Sequence, residues 1–142
     1  MKTLALASAA ALTLLASAGA AAAGDVTVTL SGVQARGGAL YVALQGRDQF
    51  MKPAMSGGAY QADPKAGTVT LTIRDVAPGD YAISVLHDQD GDHQMKREPD
   101  GRPLEGWAMV RFAGNARPGF DDVKVTVPAG GAAFSAGMRY PN

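Results

Sequence analysis

Hydrophobic and polar residues alternate along most of this chain. Val26, Val28 and Leu30 are separated by Thr27 and Thr29, and Leu40, Val42 and Leu44 by Tyr41 and Ala43. Val69, Leu71 and Ile73 alternate with threonines, and Tyr81, Ile83 and Val85 alternate with Ala82 and Ser84. The same beat returns in Trp107–Phe112, in Val123, Val125 and Val127, and in Phe134, Ala136, Met138 and Tyr140. A period of two predicts strands with one face buried and one face wet. About seven such segments, parted by Gly, Pro and Asp clusters, predict an all-β, antiparallel, Ig-like β-sandwich.

The turn chemistry fits this prediction. Arg36-Gly37-Gly38 reads as a turn between the first two strands. Pro78-Gly79 suits a type II turn, with positive φ at the glycine. Tyr81 follows it closely, as in the sandwich corner where a buried tyrosine ties its hydroxyl to backbone. Pro128-Ala129-Gly130-Gly131 leads into the last strand. Two stretches resist the strand pattern. Residues 48–58 suit one short helical turn around Gln49-Phe50-Met51, and residues 87–106 form a long polar connection. A connection of that length in a small domain is functional or disordered as a rule.

The N-terminus has a different pattern. Lys2 precedes an apolar run from Leu4 to Leu15 and small residues from Ala16 to Ala23. This is the layout of a secretory signal peptide over residues 1–23. The run is shorter than the roughly 20 apolar residues of a membrane span. Residues 24–142 then form a single β-sandwich domain, with no membrane span after cleavage and a periplasmic or secreted location. Of 13 basic and 13 acidic side chains only Lys2 is lost with the leader, so the domain has a net charge of −1. Nothing in that balance steers the protein to nucleic acid. The chain has no cysteine, which excludes thiol catalysis, thiolate metal sites and a lipidated N-terminal cysteine.

The long connection carries the chemical candidates. In His87-Asp88-Gln89-Asp90-Gly91-Asp92 three carboxylates stand at alternate positions beside a glycine. Calcium takes six to eight oxygen ligands in flexible geometry, so an Asp-dense turn suits it. An EF-hand loop would need glycine at its sixth position, here His93, and glutamate at its twelfth, here Pro99. Asp88, Asp90, Asp92 and Glu105 are the candidate ligands, against the plainer alternative of a solvated Asp/Gly turn. A second constellation, His93 and Met95 with Met51 and Met55, is of the imidazole and thioether type that suits copper. Against it, Met51 and Met55 at helical spacing would pack inward, and His87 would be a half-buried histidine bonded locally at a strand end. None of Ser31, Ser56, Ser84 and Ser135 sits on a Gly-x-Ser-x-Gly elbow. The chain therefore reads as non-enzymatic, with a partner of unknown kind, either another exported protein or a small ligand.

The order of several motifs is specific. Gly37-Gly38-Ala39-Leu40-Tyr41-Val42-Ala43-Leu44, Phe50-Met51-Lys52 and Pro78-Gly79-Asp80-Tyr81-Ala82-Ile83 come first. His87 to Asp92, Pro103-Leu104-Glu105-Gly106-Trp107 and Pro118-Gly119-Phe120-Asp121-Asp122 follow. Across nearly the whole mature chain this resembles the secreted bacterial family called domain of unknown function 2141. The departure is Ala108-Met109-Val110-Arg111, where that family shows a Gly-Phe-Ser-Asn type of sequence. The resemblance implies an exported sandwich of transthyretin-like shape and brings no established activity. Apart from that resemblance, Glu105-Gly106-Trp107 stands where the long loop rejoins the sheet. Gly106 is expected to allow close approach or positive φ. Trp107 is expected to anchor the loop's return by packing. Glu105 is expected to face the 88–92 turn, as a cation ligand or as an acceptor for loop amides, against the plainer alternative that Trp107 is ordinary core and Glu105 is solvated.

Overall fold

The computed structural model describes residues 21–142, so the leader predicted over 1–23 lies almost wholly outside the described residues. The strands are β1 (Gly24–Val33), β2 (Ala39–Gln45), β3 (Gly57–Ala62), β4 (Gly67–Val76), β5 (Gly79–Asp88), β6 (Gly106–Met109), β7 (Val125–Val127) and β8 (Gly131–Gly137). A 3-10 turn at Arg47–Gln49 and a one-turn helix α1 (Phe120–Val123) complete the elements. One sheet runs β4-β1-β8 and the other β3-β2-β5-β6, with β7 paired to the start of β5. All pairings are antiparallel except that of β1 with β8, which is parallel.

The alternation places the core where the sequence predicts it. Val26, Val28 and Leu30 of β1 and Leu71 and Ile73 of β4 face Leu40, Val42 and Leu44 of β2 and Ile83 and Val85 of β5. All are buried. Burying one such side chain contributes about 1.5–3 kcal/mol, which is what holds the two sheets face to face. Tyr81 forms the expected corner, its hydroxyl donating to the Ala77 carbonyl at 2.9 Å.

Several local expectations change. β3 carries two glycines and only one large apolar residue, so it has no hydrophobic beat; its pairing with β2 makes it a strand. The apolar run at 123–127 breaks in two. Residues 120–123 are helical, capped by Asp122, whose carboxylate accepts from the Gly119 amide at 2.8 Å. Phe120 and Val123 thereby pack with Ala82 in a small second core. Residues 107–112 stay extended only to Met109, because Arg111 adopts φ 64°. Gly79 is not left-handed; the bend before β5 falls at Pro78, left-handed Asp75 (φ 55°) lies at a register shift between β4 and β1, and Gly79 opens β5 beside the Tyr81 ring.

The helical turn falls slightly early, at 47–49, and does not carry Met51 and Met55 inward. They are 40% and 53% exposed, and Met51 has φ 59°. Phe50 turns inward instead, against Phe120, with ring centroids 5.7 Å apart. The buried Gln45 sets this loop, its amide nitrogen reaching the carbonyls of Gln49, Lys52 and Ala54 at 2.7–3.0 Å.

An exposed ion network ties these parts together. Arg47 bonds both oxygens of Asp121 at 2.9 and 2.5 Å, and Lys124 reaches Asp121 at 3.2 Å and Asp80 at 3.5 Å. The hydrogen bonds from Arg47 and then Lys124 hold the Asp121 carboxyl at about 2. A lowered carboxyl pKa stabilises the fold above the unfolded value and loses that contribution as pH falls through the folded one. Melting temperature is therefore expected to drop between pH of about 4 and about 2, and Asp121→Asn to flatten that part of the profile. Since both partners are exposed, the difference should shrink in high salt. An unchanged acid profile in Asp121→Asn would show the network to be without consequence.

Candidate functional site

One end of the sandwich gathers the chemistry. β5 ends in His87 and Asp88, and although neighbours on a strand face opposite ways, they are 0% and 1% exposed. His87 points between the sheets. Asp88 points outward and is covered by the loop that follows it, residues 89–105.

That loop is ordered around two carboxylates. Asp88 accepts the Gly91 amide on Oδ1 at 2.7 Å and the His93 amide on Oδ2 at 3.0 Å. Turning both amides toward one side chain needs left-handed backbone, supplied by Gly91 at φ 79° and by His93 at φ 61°. Glu105, 4% exposed, accepts the Gln89 amide on Oε1 at 2.9 Å and the Lys96 amide on Oε2 at 3.2 Å. Between these anchors run two smaller Asx turns, Asp92 N–H to Asp90 at 3.3 Å and Gln94 N–H to Asp92 at 2.8 Å. The remainder is a short hairpin, with Arg97 bridged to Pro103 and the Glu98 amide donating to Arg102 at 2.8 Å.

The structure brings one oxygen each of Asp88, Asp92 and Glu105 within 4.8 Å of one another. Asp90 stands apart from that group, its carboxylate taken by the Lys96 ammonium. No lysine or arginine side chain bonds to Asp88 or Glu105 among the described residues; the nearest basic group is His93 Nδ1, 4.0 Å from Asp88. The His93 ring stands edge-on to Tyr41 at 5.0 Å. Burial first, and then the charges of Tyr60 and Asp88, push the Tyr41 hydroxyl up from its ordinary value.

His87 departs from the expectation of a half-buried, locally bonded side chain. It is fully buried, and its partners lie about fifty residues away. Nε2 is 2.8 Å from the Gly37 carbonyl, which can only accept, so Nε2 carries the hydrogen. Nδ1, 2.8 Å from Tyr140 Oη, then accepts in the neutral ring, while the same hydroxyl oxygen takes the Gln34 amide at 3.1 Å. With both nitrogens occupied, His87 is a structural clamp joining the 34–38 turn to the C-terminal segment. Of the copper candidates, His93 and Met95 lie on this loop, and Met51 and Met55 on the loop between β2 and β3.

Two glycines let the parts meet. A Cβ on Gly38, which has φ 64°, would lie 2.0 Å from the Asp88 carbonyl oxygen. A Cβ on Gly106 would lie 2.3 Å from the Tyr140 ring, so the expected close approach there is by that ring. Trp107 faces the other way and is half-buried outside the core, under Arg139 at 5.1 Å and beside Phe112 at 6.0 Å. Tyr140 and Gln45 were without local signal, since both act through partners distant in the chain or in an irregular loop.

Replacing Glu105 by glutamine puts an NH₂ where one loop amide now donates. Glu105→Gln is expected to lower unfolding free energy by about 1–3 kcal/mol, the cost of an unmet buried partner. The exposed Asp90→Asn is expected to stay within about 0.5 kcal/mol. Urea denaturation of the two variants measures the contrast, and equal small effects would contradict the anchoring role.

No curated protein and no solved structure matches the chain. A family model does, over residues 28–134, most of the chain, and it is described as "Uncharacterized protein conserved in bacteria (DUF2141)". That span begins in β1 and ends in β8, taking in both sheets and the whole acidic loop. The chain thus belongs to the DUF2141 family of uncharacterised bacterial proteins.

Proposed function

We propose that this protein is an exported, non-enzymatic β-sandwich module whose 89–105 loop is braced by a divalent cation of the calcium type, held by Asp88, Asp92 and Glu105. The mutual 4.8 Å approach of the three carboxylate oxygens carries this reading. Ligands at 2.3–2.6 Å from one calcium lie at most about 5 Å apart, so the three oxygens suit a common ion. Asp88 and Glu105 are already oriented by loop amides, and an amide-bonded carboxylate oxygen keeps a second lone pair for a metal. Two buried carboxylates this close repel one another, and a cation offsets that repulsion. Backbone carbonyls and water would supply the other ligands. The leader-like N-terminus supports a periplasmic or extracellular location, where calcium is available to a loop of modest affinity. The non-enzymatic part rests on the histidines. His87 has both nitrogens engaged in joining distant parts of the fold.

Thermal melting with calcium and with chelator tests this proposal. A cation that binds only the folded state stabilises it by about 2.7 kcal/mol at one hundred times its dissociation constant. Calcium is expected to raise the melting temperature of the native chain, and Asp92→Asn to abolish the rise while leaving the calcium-free melting temperature nearly unchanged. A melting temperature indifferent to millimolar calcium overturns the reading, and a rise with copper(I) alone would favour the His93 and Met95 pair instead.

A further inference from the structure

The edges of the two sheets are not treated alike. A sheet edge presents unpaired N–H and C=O groups and recruits another strand unless it is covered, charged, kinked or interrupted by proline. β6 is covered, because Trp107 and Arg139 exchange backbone hydrogen bonds at 2.9 and 2.8 Å. β4 carries Arg74 and Asp75 and is kinked by left-handed Asp75. β3 is short, lies against β4 and stops at left-handed Asp63, which pairs with Lys65 at 2.8 Å.

β8 has none of these devices. It is the outer strand of its sheet, and from Ala132 to Gly137 its only hydrogen bonds among the described residues are those to β1. It contains no charged residue and no proline over its seven positions. An open groove runs beside it, lined by Val110 and Arg111 on one side and Ala133, Phe134 and Ser135 on the other. The Arg111 guanidinium at its rim donates to the Lys124 carbonyl at 3.0 Å, so the charge beside the groove comes from the 110–111 side and none from β8 itself.

We infer that β8 is a dimerisation edge, on which β8 of a second copy of this chain pairs antiparallel about a two-fold axis to make one six-stranded sheet, β4-β1-β8 continued by the same three strands reversed. An unpaired edge is complemented only by another extended backbone, which restricts the occupant to a strand. A strand meeting its own copy antiparallel satisfies both sets of groups at once, and the contact closes on itself without forming a fibre. Two-fold pairing sets residues near the axis opposite their own kind, where like charges would repel. The absence of charge along β8 is what such pairing requires, and it carries no complementarity toward an acidic or basic partner. Ala133 and Ser135 share the outer face with Thr27 and Thr29, so the extended sheet would present a continuous surface of small uncharged side chains.

Light scattering on the size-excluded protein, from micromolar to millimolar concentration, tests the inference together with two variants. The native chain is expected to show a mass of two chains at the upper concentrations. Ala133→Lys with Ser135→Lys, which places lysines across the axis, is expected to show one chain with an unchanged circular dichroism spectrum. The chain has no cysteine, so Ser135→Cys supplies a clean second readout, a disulfide-linked dimer on mild oxidation. A native protein that stays monomeric throughout overturns the inference, and would leave the edge to a strand of another protein. A double-lysine variant that remains dimeric overturns it equally, and if that variant fails to fold, absence of the Ser135→Cys cross-link does so.

Discussion

A buried carboxylate must find donors, and at one end of this sandwich two of them find the same loop. Asp88 and Glu105 are nearly inaccessible, and each oxygen of each accepts a backbone amide from residues 89–96. The path of the loop follows from that requirement. Gly91 and His93 enter left-handed conformations because their amides must converge on Asp88. Left-handed backbone at a residue such as His93 costs of order 1–3 kcal/mol and persists only where surrounding contacts over-determine it. Charge-assisted bonds to Asp88 are contacts of that strength. Asp88 belongs to β5 and Glu105 immediately precedes β6, so the loop hangs from two paired strands, and a change in its conformation pulls on the sheet edge.

The same end is closed from the inside by a chain of hydrogen bonds that passes through His87. Gln34, Tyr140, His87 and Gly37 are joined in sequence, linking the first turn, the end of β5 and the C-terminal segment. The Tyr140 ring lies flat against Gly106, and Gly38 lies against the Asp88 backbone. The acidic loop therefore sits on a rigid floor. A site built on strands holds its groups more closely than one on free loops, and this favours a preorganised acidic cluster over a mobile acidic tail.

The fold exposes a contrast between its two sheets. The five-stranded sheet has its β6 edge covered and its β3 edge ended by a kink and an ion pair. The three-stranded sheet has one charged, kinked edge and one bare edge at β8. The bare edge lies on the sheet that does not carry the acidic loop, so the association inferred there and the cation binding proposed at the loop would be separable properties of one domain.

Much of this architecture was legible in the residues, because strand alternation is a local signal with a period of two. The core faces of β1, β2, β4 and β5, the Tyr81 corner and the limits of the acidic loop all follow from neighbours a few positions apart. β3 escaped, because Gly57-Gly58-Ala59-Tyr60 has no beat of its own and takes its conformation from β2. The break at Val123 escaped because a one-turn helix and a strand both bury Val123, and only the small core with Ala82 separates them. In the loop, the sequence by itself determined that Asp88, Asp90, Asp92 and Glu105 share a connection between two strands. Only the tertiary structure decided that Asp88 and Glu105 are buried on loop amides, that Asp92 joins them and that Asp90 turns to Lys96. The parallel pairing of β1 with β8 and the His87–Tyr140 bond were likewise decided by the fold. Each joins groups fifty or more residues apart, and at that separation a partner is chosen by the packing of whole sheets, of which the local pattern carries no record.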